Sequence, residues 1–334
     1  MDFFFIAVFS FFIIISLSSI AKKISLVDIP DNRKIHKTRI PLIGGISIYT
    51  TLILSFFIFD EINLPFYKIL FFFSAFIVII GIVDDLKNIS YKFRIILIIL
   101  TSYLIIFYTD IYIRDLGIFF NFVFENLGLF GILFTLFSVV ALVNAFNFID
   151  GVDGLASIQS ILILSIILFY DFLFSLNHNL KINIYLMETL VIFIFFNLFL
   201  PNKYKIFLGD AGSMFLGFYI SWIVIYMSQH YNALPIMLIP WILSYPVFDL
   251  VSTVIIRLTK QISPFRPDHF HFHFILLKQK KLNKININII ILILTLIFNL
   301  IGFLSYTFLF EELSFIILII SFLIFHYYKW QSLK

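Results

Sequence analysis

Hydrophobic residues in this chain come in long, nearly uninterrupted blocks. Phe3 to Ala21, Leu42 to Phe59, Ala211 to Gln229 and Ile285 to Phe310 contain no charged residue, and Phe124 to Ile149 contains Glu125 alone. Each block is near the roughly 20 residues that carry an α-helix across about 30 Å of hydrocarbon. Further apolar stretches at 67–83, 95–109, 155–175, 184–200, 235–256 and 314–328 bring the expectation to about eleven helices. Barrel strands are excluded, because the runs are too long and too evenly apolar for a period-two pattern. The pattern predicts an all-α, polytopic membrane protein, with residues 1–334 forming one integral-membrane domain without a soluble domain, linker or repeat.

Composition agrees. The chain is 62% hydrophobic and 13% charged, with a mean hydropathy of +1.08, far from soluble proteins, in which roughly 25% of residues are charged. No basic residue precedes the first block and Lys22–Lys23 follow it, so that block reads as a retained helix entering from outside. Threading the chain from there puts 22–41, 84–94, 147–154, 201–210, 257–284 and the C-terminal tail on the cytoplasmic side. Of the 23 Lys and Arg residues, only Lys68, Arg114 and Lys181 then fall outside, the asymmetry that sets orientation in membranes. The expectation is a multi-pass membrane protein with its N-terminus outside and C-terminus in the cytoplasm. The net charge of +4 belongs to loops beside anionic lipid and does not indicate nucleic-acid binding. With no cysteine, the chain has no disulfide, iron–sulfur or thiol chemistry.

The uncommon polar residues gather at the cytoplasmic ends of the blocks. "GIVDDLKN" places Asp84 and Asp85 where a helix leaves the hydrocarbon. Adjacent side chains on a helix point about 100° apart, so the pair cannot form one chelate, and acids oppose the dipole at a helix C-terminus. "NAFNFIDGVDGLA" spaces Asn144, Asn147, Asp150 and Asp153 every third residue. A plain interhelical turn accounts for one Asp-Gly step but poorly for four polar residues at period three, and a turn into a helix start offers N–H groups to phosphate oxygens. Asp210, in "FLGDAGS", opens a helix either as an N-cap or as a hard carboxylate ligand for magnesium.

Three other stretches stand out. "RKIHKTRIPLIGG" sets basic residues before a glycine pair that opens a helix, an arrangement suited to anions. Asp249 lies roughly 12 Å up its helix from Arg257, at a depth where charged residues face a bundle interior. In "RPDHFHFHF", alternation would put His269, His271 and His273 on one face of an extended segment, as a metal clamp or a phosphate grip. An ion-coupled transporter would gather its acids near the bilayer midplane. Here they lie at one face, which favours an interfacial enzyme.

In order, "RKIHKTRIPLIGG", "GIVDDLKN", "NAFNFIDGVDGLA", "FLGDAGS", "YPVFDLVSTVIIR" and "SPFRPDHFHFH" resemble the polyprenyl-phosphate N-acetylhexosamine-1-phosphate transferases from about Asp28 to Leu276. The resemblance implies that the phosphate of undecaprenyl phosphate attacks the β-phosphorus of a UDP-N-acetyl sugar, giving a lipid-diphosphate-sugar and UMP. It implies Mg²⁺, with Mn²⁺ as a substitute, and leaves a homodimer open. The active site would form from 22–41, 84–94, 144–154, 201–213 and 257–284. Asp84, Asp85 and Asp210 would be catalytic, with Asp210 and Asp85 holding the metal. Phe207 matches a position that stacks on uracil, Asn144, Asn147, Asp150 and Asp153 match the nucleotide-side loop, and Lys37 matches a basic residue near the phosphates. His271 and His273 match the family's histidine cluster, with Arg266 adding charge and His269 reading as incidental.

Two departures refine this. Asn88 stands where many members carry a third Asp, and Phe274 cuts the histidine cluster short. The chain also lacks the three consecutive histidines of the peptidoglycan branch, which transfers phospho-MurNAc-pentapeptide. The GlcNAc-type branch, serving O-antigen, capsule or teichoic-acid synthesis, is therefore the expectation.

Overall fold

A computed structural model describes residues 2–29, 38–59, 65–119, 122–173, 180–264 and 268–334. The first helices are α1 (Asp2–Lys23), α2 (Gly44–Ile58), α3 (Pro65–Lys87), α4 (Tyr91–Thr109), α5 (Gly128–Ile149) and α6 (Leu155–Leu173). There follow α7 (Lys181–Ile194, continued by a π-helical turn at Phe195–Phe199), α8 (Gly209–Gln229), α9 (Ile239–Ile242), α10 (Ser244–Thr259), α11 (Phe272–Lys278), α12 (Lys284–Phe308) and α13 (Glu311–Gln331). Strand content among the described residues is confined to two antiparallel pairs, Val27–Asp28 with Ile40–Pro41 and Ile118–Phe119 with Phe122–Val123.

Among the described residues, nine helices are long and apolar enough to cross a membrane: α1, α3 to α8 with the π-helical turn included in α7, α12 and α13. The polytopic all-α expectation holds, with two departures from about eleven regular spans. Helix α2 has only 15 residues, about 22 Å at 1.5 Å per residue, short of the hydrocarbon thickness. The stretch expected as one span over 235–256 is broken, with Ile236–Ile242 and Ser244–Thr259 meeting at 75°. Pro246 explains the break. In a continuous helix its ring would strike the carbonyl of Ile242, whereas in the first turn of a new helix it is tolerated.

Helix α8 is the axis of the bundle. Its apolar window is wholly buried, as befits a helix that is apolar all round. The neighbours reach it through small residues. A Cβ added at Gly45 of α2 would fall on the backbone of Gly212, and one at Gly81 of α3 on the backbone of Ala211. On the opposite side Gly217 of α8 lies against Val143 of α5. Close backbone approach of this kind drives helix association where lipid tails remove any hydrophobic gain.

These contacts also satisfy helix ends. The N–H groups of Gly44 and Gly45, unpaired within α2, donate to the carbonyls of Phe207 and Leu208 at 2.9 Å each. The glycine pair is therefore committed to the fold and does not offer these two N–H groups to an anion, a correction to the sequence reading. Gly81→Leu should force α3 away from α8 and destabilise the protein by more than the roughly 1–3 kcal/mol of ordinary overpacking. Thermal unfolding of the purified protein in detergent, followed by gel filtration, measures this.

Candidate functional site

One turn beyond Gly81, α3 presents its two acids in different directions. Asp84, buried, is ion-paired with Arg94 of α4. The hairpin that returns Arg94 is closed by Asn88 in the left-handed region (φ 50°) and by Ser90, whose hydroxyl accepts from Phe93 N–H at 3.3 Å as the N-cap of α4. Asparagine tolerates that backbone well, and Asn88 is exposed. It is a turn residue and does not line the cavity described below.

Asp85 caps α8. Its carboxylate accepts from the N–H groups of Asp210 at 3.0 Å and Ala211 at 3.4 Å. These are orphan donors of a helix N-terminus, where negative charge is favoured. The N-cap reading offered for Asp210 thus belongs to Asp85, supplied from another helix. Asp210, freed from capping, accepts from Asn147 Nδ2 at 2.6 Å through Oδ1 and lies 3.9 Å from Arg94 Nη1 through Oδ2. Asn147 also bonds Ser213 Oγ at 3.1 Å.

These groups open onto a polar cavity of about 620 Å³ lined by Asp85, Asn147, Asp150, Asp153, Phe207 and Asp210, together with residues that the sequence reading did not single out. Among the latter, Lys205 and Lys284 both pair with Asp153, whose carbonyl also accepts from Asn288 Nδ2 at 2.9 Å. Lys205 further lies 5.8 Å from the centre of the Phe207 ring. Asp150 is held well above the ordinary carboxylate range, first by burial and then by the charges of Asp210, Asp153 and Asp85. Among the described residues no group of three His, Cys, Asp or Glu closes into a metal cage. The crowded oxygens of Asp85, Asp150 and Asp210 nevertheless fit a hard cation that takes one or two carboxylates and completes its shell with water and phosphate.

Asn144 is not part of this cavity. It donates back to Val140 O at 2.7 Å and lines an apolar groove of about 1180 Å³ between α5, α8 and the broken α9–α10 pair. Residues three apart on a helix differ by only about 60°, yet the two cavities meet so closely at this end of α5 that Asn144 lines one and Asn147 the other.

The histidine stretch is arranged otherwise than its sequence suggested. His269 and Phe274 line the cavity, while His271 and His273 are buried behind it. His271 Nδ1 lies 2.7 Å from Asp249 Oδ2, and its Nε2 lies 3.5 Å from Arg257 Nη2. Arg257 itself bonds Asp268 Oδ2 at 2.7 Å. His273 packs under Gly151 without a hydrogen-bond partner among the described residues. Burial first, then the neighbouring His271, lowers its pKa to about 3, so it is neutral at physiological pH and cannot grip phosphate as a cation. The rings of His271 and His273 stay together, 5.7 Å apart, whereas His269 meets Phe274 at 4.9 Å, because α11 begins after His271 and replaces the extended alternation. Lys37 and Arg266 lie outside the described residues.

Sequence reasoning also missed Arg94, Lys205, Lys284 and Lys329. The first three were treated as topological charge. Lys329 was counted with the C-terminal tail, although it has no exposed surface and pairs with Asp249. Its place within an apolar run was the available signal.

His273 makes a pH prediction. Its folded-state pKa lies below the unfolded value of about 6.5, so the stabilisation is complete above that value and fades as pH falls toward about 3. One pH unit below 6.5 the loss should approach about 1.4 kcal/mol. His273→Asn should flatten this part of the acid limb when melting temperatures are compared between pH 7.5 and 5.5.

Residues 67–228 match the family model described as Glycosyl transferase family 4. The chain is 32% identical over 272 residues to an undecaprenyl-phosphate alpha-N-acetylglucosaminyl 1-phosphate transferase of Yersinia pestis, covering 79% of this chain and 73% of that protein. A protein of the same name from Haemophilus influenzae is 35% identical over 268 residues, covering 78% and 74%. Another, from Escherichia coli O157:H7, is 33% identical over 256 residues, covering 75% and 68%. The matched region carries both aspartate motifs of the α3–α8 junction and the α5 turn, and the chain belongs to glycosyl transferase family 4.

Proposed function

We propose that this multi-pass membrane protein transfers N-acetylglucosamine 1-phosphate from UDP-GlcNAc to undecaprenyl phosphate, releasing UMP. The observation that carries the reading is the placement of two unlike cavities on either side of the inner end of α5. Asn147 and Asp150 line the polar one, while Asn144 and Phe148 line the apolar groove. A reaction between a soluble sugar nucleotide and a long isoprenoid needs such a pair. The names of the relatives support GlcNAc over phospho-MurNAc-pentapeptide.

The lipid phosphate oxygen forms a bond to the β-phosphorus while the bond from that phosphorus to the bridging oxygen breaks, and UMP leaves. Bringing these phosphates together concentrates negative charge, which must be offset in the transition state. Asp210 and Asp85 would hold Mg²⁺, which would supply that offset when bound. Lys205 and Lys284 face the same cavity and add positive charge. Arg94 neutralises Asp84 and lies near Asp210. Phe207, half-buried in the wall, offers a ring face to uracil. The lipid tail occupies the groove.

The site faces the cytoplasm of the bacterial inner membrane in this reading, as the first committed step of an envelope polysaccharide. The basic residues of the cavity-side loops support that orientation, although Arg257 and Lys329 are buried and drop out of the count.

Membranes containing the protein should release UMP from UDP-GlcNAc only with undecaprenyl phosphate and Mg²⁺; no UMP with any of a panel of UDP-N-acetyl sugars would overturn the assignment. Asp210→Asn should reduce turnover by about 100-fold or more, and near-normal turnover would remove Asp210 from the metal role. Because the chain has no cysteine, single-cysteine variants report orientation. An impermeant maleimide should label Glu125→Cys in intact cells and spare Lys280→Cys until the cells are opened.

A further inference from the structure

Behind the polar cavity lies a second charged cluster, to which no role has been given in binding substrate. Its centre is Asp249 of α10, with no exposed surface. Oδ1 accepts from Phe272 N–H at 2.8 Å and from Lys329 Nζ at 2.6 Å. Oδ2 faces His271 Nδ1 at 2.7 Å. A carboxylate only accepts, so the hydrogen of that bond is carried by Nδ1, which leaves Nε2 to accept from Arg257. Lys329, also fully buried, adds bonds to Asp249 O at 3.0 Å and Thr253 Oγ1 at 2.6 Å.

The geometry holds a short helix in place. Phe272 opens α11, a seven-residue helix whose N-cap, His271, makes no side-chain capping bond. Its first N–H would be an orphan donor were it not taken by Asp249. The same short segment carries His269 and Phe274 into the wall of the polar cavity. It also lays His273 and Phe274 against Gly151, between Asp150 and Asp153. A buried carboxylate stays ionised only with a compensating cation and satisfied oxygens. Lys329, brought from the last helix of the chain, supplies the cation and a bond to Oδ1, and His271 and Phe272 complete the set.

We propose that Lys329 is a positioning residue for the sugar-nucleotide side of the cavity. Acting through Asp249, it fixes the start of α11 and hence the wall formed by His269 and Phe274. The proposal rests on the transferase reading above, and it concerns the nucleotide-sugar side and not the lipid groove.

Lys329→Met leaves Asp249 without its main cation and threatens folding, so it is paired with a double variant, Asp249→Asn with Lys329→Met. The double variant is neutral, but its carboxamide sets an NH2 group where one of the two carboxylate oxygens stood, so Phe272 N–H and His271 Nδ1–H no longer both meet an acceptor. In folded double variant, matched to the wild type by melting temperature, KM for UDP-GlcNAc should rise about tenfold or more while KM for undecaprenyl phosphate stays within about twofold. Hydrogen exchange should accelerate over residues 268–278 and remain unchanged in α8. Unchanged KM and unchanged exchange would overturn the proposal, as would an equal rise in KM for both substrates. If wild-type protein releases no UMP, the transferase reading fails on its own, and exchange over 268–278, measured in the double variant and in Asp249→Asn alone, still decides whether Lys329 adds to the hold on the segment.

Discussion

In hydrocarbon every helix end is a liability, because unpaired N–H and C=O groups find no water. The start of α8, the central helix, is enclosed by its neighbours, and the way its N–H groups are satisfied organises the candidate site. Asp85 crosses from α3 to take the N–H groups of Asp210 and Ala211. That bond requires α3 to run against α8 at backbone distance, which Gly81 permits. Once Asp85 is committed to the helix end, Asp210 is free to face the cavity and meet Asn147 and Arg94. Fold and site share this junction, so residues that look catalytic in a motif also hold the helices together.

The same economy recurs around α10. Pro246 breaks the span and turns α10 by 75° from the preceding helix. The tilted helix then carries Asp249 to α11 and Arg257 to the loop before it. Two charged residues that are costly in a membrane are neutralised, Asp249 by Lys329, 80 positions along the chain, and Arg257 by Asp268, 11 positions along it. What lines the cavity is consequently the aromatic and histidine edge of this cluster, namely His269 and Phe274.

Helix α5 separates the two environments that the chemistry needs. Its inner end exposes Asn144 and Phe148 to an apolar groove and Asn147 to a polar cavity. A lipid and a sugar nucleotide can thus approach the same carboxylates from different solvents. Five acids at one end of a bundle would repel one another, and Arg94, Lys205 and Lys284 limit that cost by pairing with Asp84 and Asp153.

Much of this was legible in the sequence for plain physical reasons. Hydrocarbon thickness dictates the length of an apolar helix, so nine spans among the described residues could be read from the apolar blocks, while the short α2 and the break at 75° within 235–256 could not. The motifs "GIVDDLKN" and "FLGDAGS" marked Asp84, Asp85 and Asp210 because acids are rare where an apolar helix ends. Local periodicity could also show that Asp84 and Asp85 point apart, as they do. It could not show what they point at. The cap on α8 comes from a residue 125 positions earlier, and the partner of Asp249 comes from one 80 positions later. Alternation in "HFHFH" misled because α11 starts within it. Sequence determined which residues are too polar for lipid; tertiary structure alone decided which cation or helix end each would meet, because that pairing depends on close contacts between helices far apart in the chain.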